Sequence, residues 1–512
     1  MSVTPTTDED VSLALQKRQE DKKWINYSLT DSLVEGYYGY PVFLHFVISK
    51  IKKKNRWLIG KFINIFSDII IGILIYQITN KLIGVTLLSY FNYGHIASLL
   101  YITSPLLIPV TSRMKTIKAR SFGSMLIFFY FYFMYLMMNS FNFGLLILLF
   151  FIAFLIVISS MFAFQVMLLM SLFLSLLSFS FDPVIYLAGF LFILFFIKQL
   201  KAKEPILFYF NHKIWYFKNF TKGTKAQNRQ LFSIIKWKNF YNKPKLILQD
   251  LLRNQPILIV LFSLPELFFL MDYLKLNIVD NQLLSFSWNL IISTIILFLL
   301  TSTKYFSFLG QSERYFEYTL PFICLLVTFT LYNKYDPNFN LIAVLFIVIW
   351  HIIIIVINFI FSNNYLFDEK KKIDISFKEV IDFLNQNFKN GGNVMTNPVK
   401  LGFKASAYSF SSNFKFYYKF IKKKNEIGFK YYEKDTNGIL KKNEEFIQSK
   451  EIISLTPDEM IEKYKINFLI IQNKNEILEG VELMWKNKYL KHQENIIFQN
   501  NDYILYLLKN NI

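Results

Sequence analysis

The chain has 512 residues, 54% hydrophobic and 19% aromatic, with a mean hydropathy of +0.33 and a net charge of +20. This is more apolar surface than a soluble fold of that length buries, which excludes an ordinary soluble protein and points to one membrane domain plus a smaller soluble one. The positive charge does not indicate nucleic acid, because no basic helix or aromatic nucleic-acid motif stands in a polar region.

In chain order, residues 1–33 are polar and carry the acidic cluster Asp8-Glu9-Asp10, which taken alone reads as a solvated chain end. Residues 37–51 read YYGYPVFLHFVISKI, too short and interrupted to span. They predict an interfacial helix with Pro41 in its first turn and tyrosines at headgroup depth. Apolar runs then cover 57–83, 95–110, 122–138, 144–160, 162–181, 183–197, 256–271, 284–300, 318–332 and 341–361, giving about ten spans, several near the minimum length. Asp68 and Glu266 fall inside such runs. A charge costs roughly 2.5–3.5 kcal/mol at the bilayer centre, so each needs a partner or a cavity.

The loop 198–255 holds thirteen Lys or Arg against Glu204 and Asp250, more than half of the excess positive charge. Anionic headgroups or a lipid-linked phosphate are its natural counterions. Within it, 207–220 reads LFYFNHKIWYFKNF and predicts an interfacial helix in which Lys213 and Lys218 snorkel beside His212. Cys324, the only cysteine, lies in an apolar run, which excludes a disulfide framework and a thiolate metal site. His45, His95, His212, His351 and His492 show no metal-ligand spacing.

From Asp368 polar and apolar segments alternate. The pattern predicts a helix over 376–388, a turn at Asn390-Gly391-Gly392 and a strand over 393–396. A helix is expected to start at Thr456-Pro457-Asp458-Glu459, where a cap residue precedes proline and a glutamate reaches back. Residues 466–471, INFLII, form a buried strand, and 495–508 form two strands around Asn500-Asn501-Asp502. The expected fold is a polytopic all-α membrane domain with a soluble C-terminal α/β domain. Its parts are 1–56, an outer segment; 57–361, the membrane domain with the basic loop 198–255; and 368–512, the soluble domain. No GxxxxGK[ST] loop or GxGxxG turn is present, so ATP-driven transport and nucleotide-cofactor chemistry lack support.

Four segments, in their order, carry a likeness. Asp8-Glu9-Asp10 precedes Gly39-Tyr40-Pro41-Val42-Phe43-Leu44-His45. Ser104-Pro105-Leu106-Leu107-Ile108-Pro109 is followed by Arg113 and Ala119-Arg120-Ser121-Phe122-Gly123. Glu313-Arg314-Tyr315 precedes Leu320-Pro321, and a soluble domain follows the last span. This order resembles the GT-C superfamily of membrane glycosyltransferases, in particular dolichyl-phosphate-mannose-protein mannosyltransferases. These take sugar from a polyprenyl-phosphate carrier on the outer membrane face. Members begin with a span ahead of the acidic cluster, so the resemblance predicts a missing first span upstream of Met1.

The resemblance implies Asp8 or Asp10 as the base that deprotonates the acceptor, and Arg113, Arg120 and Arg314 as ligands of the departing phosphate. Glu313, Tyr315 and His45 join the substrate-binding set. The implied partners are membrane lipids, a polyprenyl-phosphate-linked sugar and a glycan, lipid or protein acceptor, in a multi-pass protein of the plasma membrane. A divalent metal stays open. Arg314 with Glu313 also reads as a cytoplasmic anchor and its surface partner. Counting ten spans from an outer N-terminus puts Arg113, Arg120, Arg314 and the soluble domain outside. It puts the basic loop there too, against a charge rule that weakens for loops approaching ~60 residues. An O-antigen polymerase or ligase, or a transporter or flippase of lipid-linked sugars, are the alternatives; a transporter would need a charged path, for which only Asp68 and Glu266 offer themselves.

Overall fold

Long apolar helices dominate the computed structural model, which describes residues 15–20, 22–27, 33, 41–88, 91–107, 119–196, 203–219, 255–276, 281–303, 305–363, 369–397, 401–409, 413–416, 431–434, 440–443, 456–473 and 495–508. The chain divides into two compact units. One comprises Met1–Lys53, Ile214–Asn219 and Asn364–Ile512, the other Lys54–Lys213 and Phe220–Asn363.

In the first unit, α1 (Phe43–Ser49) is the short helix expected near 37–51, with Pro41 just ahead of its N-cap Val42. The second unit contains α2 (Lys53–Ile83, from its second residue on), the small hairpin β1 (Thr86–Leu88) and β2 (Phe91–Asn92), and α3 (Tyr93–Thr103). Then follow α4 (Arg120–Asn139), α5 (Phe143–Ser159), α6 (Met161–Ser178), α7 (Asp182–Phe196) and α8 (Lys203–Asn219), which begins in this unit. The bundle ends with α9 (Pro256–Ser263), α10 (Leu267–Tyr273), α11 (Gln282–Thr301), α12 (Arg314–Lys334) and α13 (Pro337–Asn363).

Each of the ten apolar runs contains a helix. Six described helices are long and apolar enough to cross a membrane, and α9 with α10 makes a seventh if the pair, bent by 77°, is one span. The other three are short: α3 has 11 residues, roughly 16 Å of helix. It stops because Ser104 must be extended ahead of Pro105. Pro265 has the same effect between α9 and α10, where Leu264 leaves helical geometry.

Side-chain caps make the tight turns between helices. Asn142 Oδ1 accepts from Gly144 N and Leu145 N, and Ser160 Oγ from Ala163 N, so a single residue joins α5 to α6. The buried helix is α12, which touches α3, α4, α6, α10, α11 and α13. Hydroxyls bridge the bundle: Thr294 donates to Thr319 at 3.1 Å between α11 and α12. The intramembrane acids have the partners expected of them, Asp68 accepting from Tyr101 at 3.4 Å and Glu266 meeting His351.

The C-terminal part of the first unit is the expected α/β domain. It contains α14 (Glu369–Asn387), β3 (Gly392–Asn397), α15 (Gly402–Tyr408), β4 (Phe414–Phe416), the hairpin β5 (Tyr431–Lys434) and β6 (Leu440–Asn443), α16 (Pro457–Tyr464), β7 (Phe468–Gln472), β8 (Ile496–Gln499) and β9 (Tyr503–Leu507). Five strands lie in the order β4-β3-β7-β9-β8. β3 runs parallel to β4 and β7, and β9 antiparallel to β7 and β8. Strand β7 is central and buried throughout, packing with Phe377, Val380, Ile381 and Leu384 of α14. The capping box at α16 is reciprocal: Thr456 Oγ1 accepts from Glu459 N, and Glu459 Oε2 from Thr456 N at 2.6 Å.

Candidate functional site

The head of α12 gathers polar side chains in an aromatic setting, all within the second unit. Arg314 opens this helix, and its guanidinium carbon lies 5.0 Å from the Phe162 ring centroid. Its Nε is buried without a hydrogen-bond partner. The segment before it is a 3-10 turn, Ser307–Leu309, closed by Gly310 at φ +113. A Cβ there would also lie 3.2 Å from the Phe162 ring, so the turn requires glycine.

Two side chains pin this turn. Lys213 of α8 donates through Nζ to Phe308 O at 3.2 Å, and Gln165 of α6 donates through Nε2 to Leu309 O at 2.5 Å. Gln165 also bonds the buried Tyr315 hydroxyl, and the Tyr315 ring packs 5.3 Å from Phe162. Lys213 lies over Tyr209, 5.6 Å from its centroid. Burial, and then the neighbouring Arg314 charge, push its ammonium down to about 7. Arg314 and Lys213 are therefore two cations near each other. Among the described residues neither makes an ion pair with a carboxylate, and a ligand anion would relieve their repulsion.

Arg120, at the head of α4, is differently placed. Its Nε and Nη2 both reach Glu317 Oε2, the Nε contact at 2.5 Å, while Ser124 donates to Glu317 Oε1 at 3.5 Å. Glu317 is 1% exposed, so the pair ties α4 to α12 one turn below Arg314 and brings Arg120 and Arg314 to one end of the bundle. Arg120 thus arrives already paired with a carboxylate. Glu313 caps this helix without a side-chain cap bond and is partly exposed. His45 lies in the first unit, buried in α1 with Nδ1 unpartnered. Asp8, Asp10 and Arg113 lie outside the described residues.

Sequence reasoning missed Glu317 and Gln165. The apolar run begins at Tyr318, one residue past the acid, and Glu317 pairs with Arg120 of α4 rather than with the arginine three residues before it, so spacing along the chain does not announce the pair. Gln165 gives no signal either, since a lone amide in an apolar run is neutral. Among the described residues no three His, Cys, Asp or Glu side chains come together as a metal site requires.

No family model matches the sequence, and no curated protein matches it. Its fold is similar to that of an archaeal oligosaccharyltransferase. The chain is similar to the Archaeoglobus fulgidus oligosaccharyltransferase in its apo form, at 10% identity and a TM-score of 0.50 over 91% of this chain and 66% of that one. Crystal structures of the same archaeal protein with Zn and sulfate, and tethered by a disulfide to an acceptor peptide containing the NVT sequon, match at 12% and 11% identity. Their TM-scores are 0.47 and 0.46, over 91% of this chain and 63% and 65% of theirs. The chain spans just under two thirds of the length of these structures.

Proposed function

We propose that the chain is an integral membrane glycosyltransferase that takes a sugar from a polyprenyl-phosphate carrier and passes it to a glycan, lipid or protein acceptor at the outer face of the plasma membrane. The observation that carries this reading is the neighbouring cation pair Arg314 and Lys213 at the head of a buried helix, in a bundle with the fold of an oligosaccharyltransferase. In the reaction the bond from sugar C1 to the phosphate oxygen breaks and a bond from C1 to the acceptor oxygen forms. The acceptor proton passes to a carboxylate, the role of Asp8 or Asp10. Arg314 and Lys213 hold the phosphate as its charge grows, with Arg113 as a further ligand. Arg120 acts through Glu317 to fix α12, and Tyr315 and Gln165 hold the turn that presents Arg314.

The test uses the full chain in nanodiscs with a polyprenyl phosphate as probe, together with transfer from a polyprenyl-phosphate sugar. R314A and K213A should each weaken probe binding by about tenfold or more, the scale of one charge-assisted contact of 1.5–3 kcal/mol. Unchanged binding in the double variant removes this site from the reading. Binding intact in wild type without sugar transfer to any acceptor, while the lipid-linked sugar crosses the bilayer, would replace the transferase by a flippase.

A further inference from the structure

Helix α8 has two faces of different character. Leu207, Phe210, Ile214 and Phe217 are 42%, 44%, 45% and 54% exposed, and their helical spacing places them in one stripe along α8. Ile206, Tyr209 and Lys213 repeat that spacing one residue earlier and form the adjoining face, turned to the bundle. Ile206 and Tyr209 are buried, the Tyr209 ring meeting Phe164 of α6 edge-on at 5.2 Å, and Lys213 Nζ donates to Phe308 O at 3.2 Å. Lys213 therefore does not snorkel outward as its aromatic surroundings led one to expect. It is a cation held inward, behind an apolar stripe.

The helix is not among those long and apolar enough to cross a membrane, so its apolar stripe is not that of a span. Four large apolar side chains on one helix face still call for a cover other than water. The preceding helix α7 presents the same kind of surface, with Ile185 and Phe192 more exposed still, and an apolar surface shared by consecutive helices of a membrane bundle is met by lipid. A second copy of the chain fits poorly, because the stripe is roughly 15 Å long and offers four side chains, against about twenty residues a side in a stable interface. Charge favours lipid as well. The loop 198–255, of which α8 is part, holds thirteen Lys or Arg against Glu204 and Asp250, the complement of anionic headgroups. An apolar stripe within a basic segment belongs to a helix lying in the interface plane, its apolar face about 5–10 Å into the boundary between headgroups and acyl chains.

We propose that α8 lies in the membrane interface with Leu207, Phe210, Ile214 and Phe217 against the acyl chains, and that this seat sets the depth at which Lys213 meets a phosphate carried by a lipid. Such a phosphate is held at headgroup level by its own chains, so a cation fixed at that level meets it without first being ordered. The seat of α8 stands by itself, whereas its effect on phosphate binding rests on the Arg314–Lys213 site proposed above.

Spin labels at L207C and F210C in a C324S background, with the full chain in nanodiscs of phosphatidylcholine and phosphatidylglycerol, test the seat. Collisions with oxygen should exceed those with a water-soluble nickel chelate at both positions, placing the labels below the lipid phosphates. Dominant collisions with the chelate would put the stripe in water, and weak collisions with both reagents would put it under protein; either overturns the proposal. Binding of polyprenyl phosphate as probe tests the link to Lys213. F210E should weaken binding as much as K213A does and add nothing in the K213A background, while F210L should bind like wild type. Losses that multiply in the double variant, or F210E binding like wild type, overturn the link. If K213A itself binds like wild type, the phosphate site fails and the link with it, and the collision data still decide where α8 lies.

Discussion

His45 is sealed in α1 with its Nδ1 unpartnered, and burial pushes its pKa down to about 4 from an ordinary 6.5. A histidine kept neutral by burial stabilises fully above its unfolded pKa and loses that contribution as pH falls through the window from 6.5 to about 4. Acidification across that window should cost the first unit up to about 3 kcal/mol, and H45F should flatten the dependence. Superimposable urea midpoints of wild type and H45F at both ends of the window would refute this. Lys213 shows the opposite use of burial. With its ammonium at about 7, binding a phosphate above that pH requires proton uptake, so affinity falls as pH rises. K213R stays charged, and the wild-type to K213R affinity ratio should drop by up to about tenfold per pH unit above 7; a constant ratio would remove Lys213 from the phosphate site. Arg314 and Lys213 were visible in the sequence as members of short patterns. Glu317 was not recognised, because its partner Arg120 lies 197 residues earlier and only folding brings them together.

Among elements, those with local rules were legible and those with tertiary causes were not. The start of α16 follows from Thr456, Pro457 and Glu459 alone, and β7 from an unbroken apolar run between polar ones. By contrast α14 begins at Glu369, seven residues before the expected start, because a polar first turn carries no periodic signal. The brevity of α3 and the bend at Pro265 were both foreshadowed by proline, but an apolar run reads the same whether it crosses a membrane or stops inside it. Two substitutions test the local rules. T456A removes the acceptor for Glu459 N and should destabilise α16 by about 1 kcal/mol, seen as faster amide exchange over 458–464. G391A should cost more: Gly391 has φ +81, and an added Cβ would stand 2.4 Å from Asn413, whose carbonyl accepts from Gly392 N. Equal exchange in both variants and wild type would mean that neither feature shapes the domain.

At the scale of the whole molecule, described residues of the N-terminal segment and the C-terminal domain fall in one unit. The polar N-terminal segment, legible only as an outer segment ahead of the membrane domain, is grouped with the C-terminal α/β domain. Specific bonds hold it there. Leu33 N donates to Phe416 O at 2.9 Å and its side chain packs on the domain core, while Lys17 Nζ donates to Ser406 O at 3.1 Å. Lys50 in turn gathers the carbonyls of Gln19, Glu20 and Lys22, fixing the segment to the end of α1. Phe416 belongs to β4, an edge strand, so Leu33 occupies a place that would otherwise be open to another chain. No local pattern announces a bond between residues so far apart in sequence; it follows from β4 lying at the sheet edge. Leu33→Pro removes the amide donor while keeping an apolar side chain, and leaves Phe416 O to find water or go unpaired, a cost of about 1–3 kcal/mol. In the full chain in nanodiscs, amide exchange should accelerate in β4 and α15 and stay unchanged in α12. K17A should give a smaller effect confined to α15. If exchange in β4 is the same in Leu33→Pro and wild type, the N-terminal segment does not brace the C-terminal domain. If α12 accelerates equally, the substitution has loosened the chain as a whole and the brace is not local.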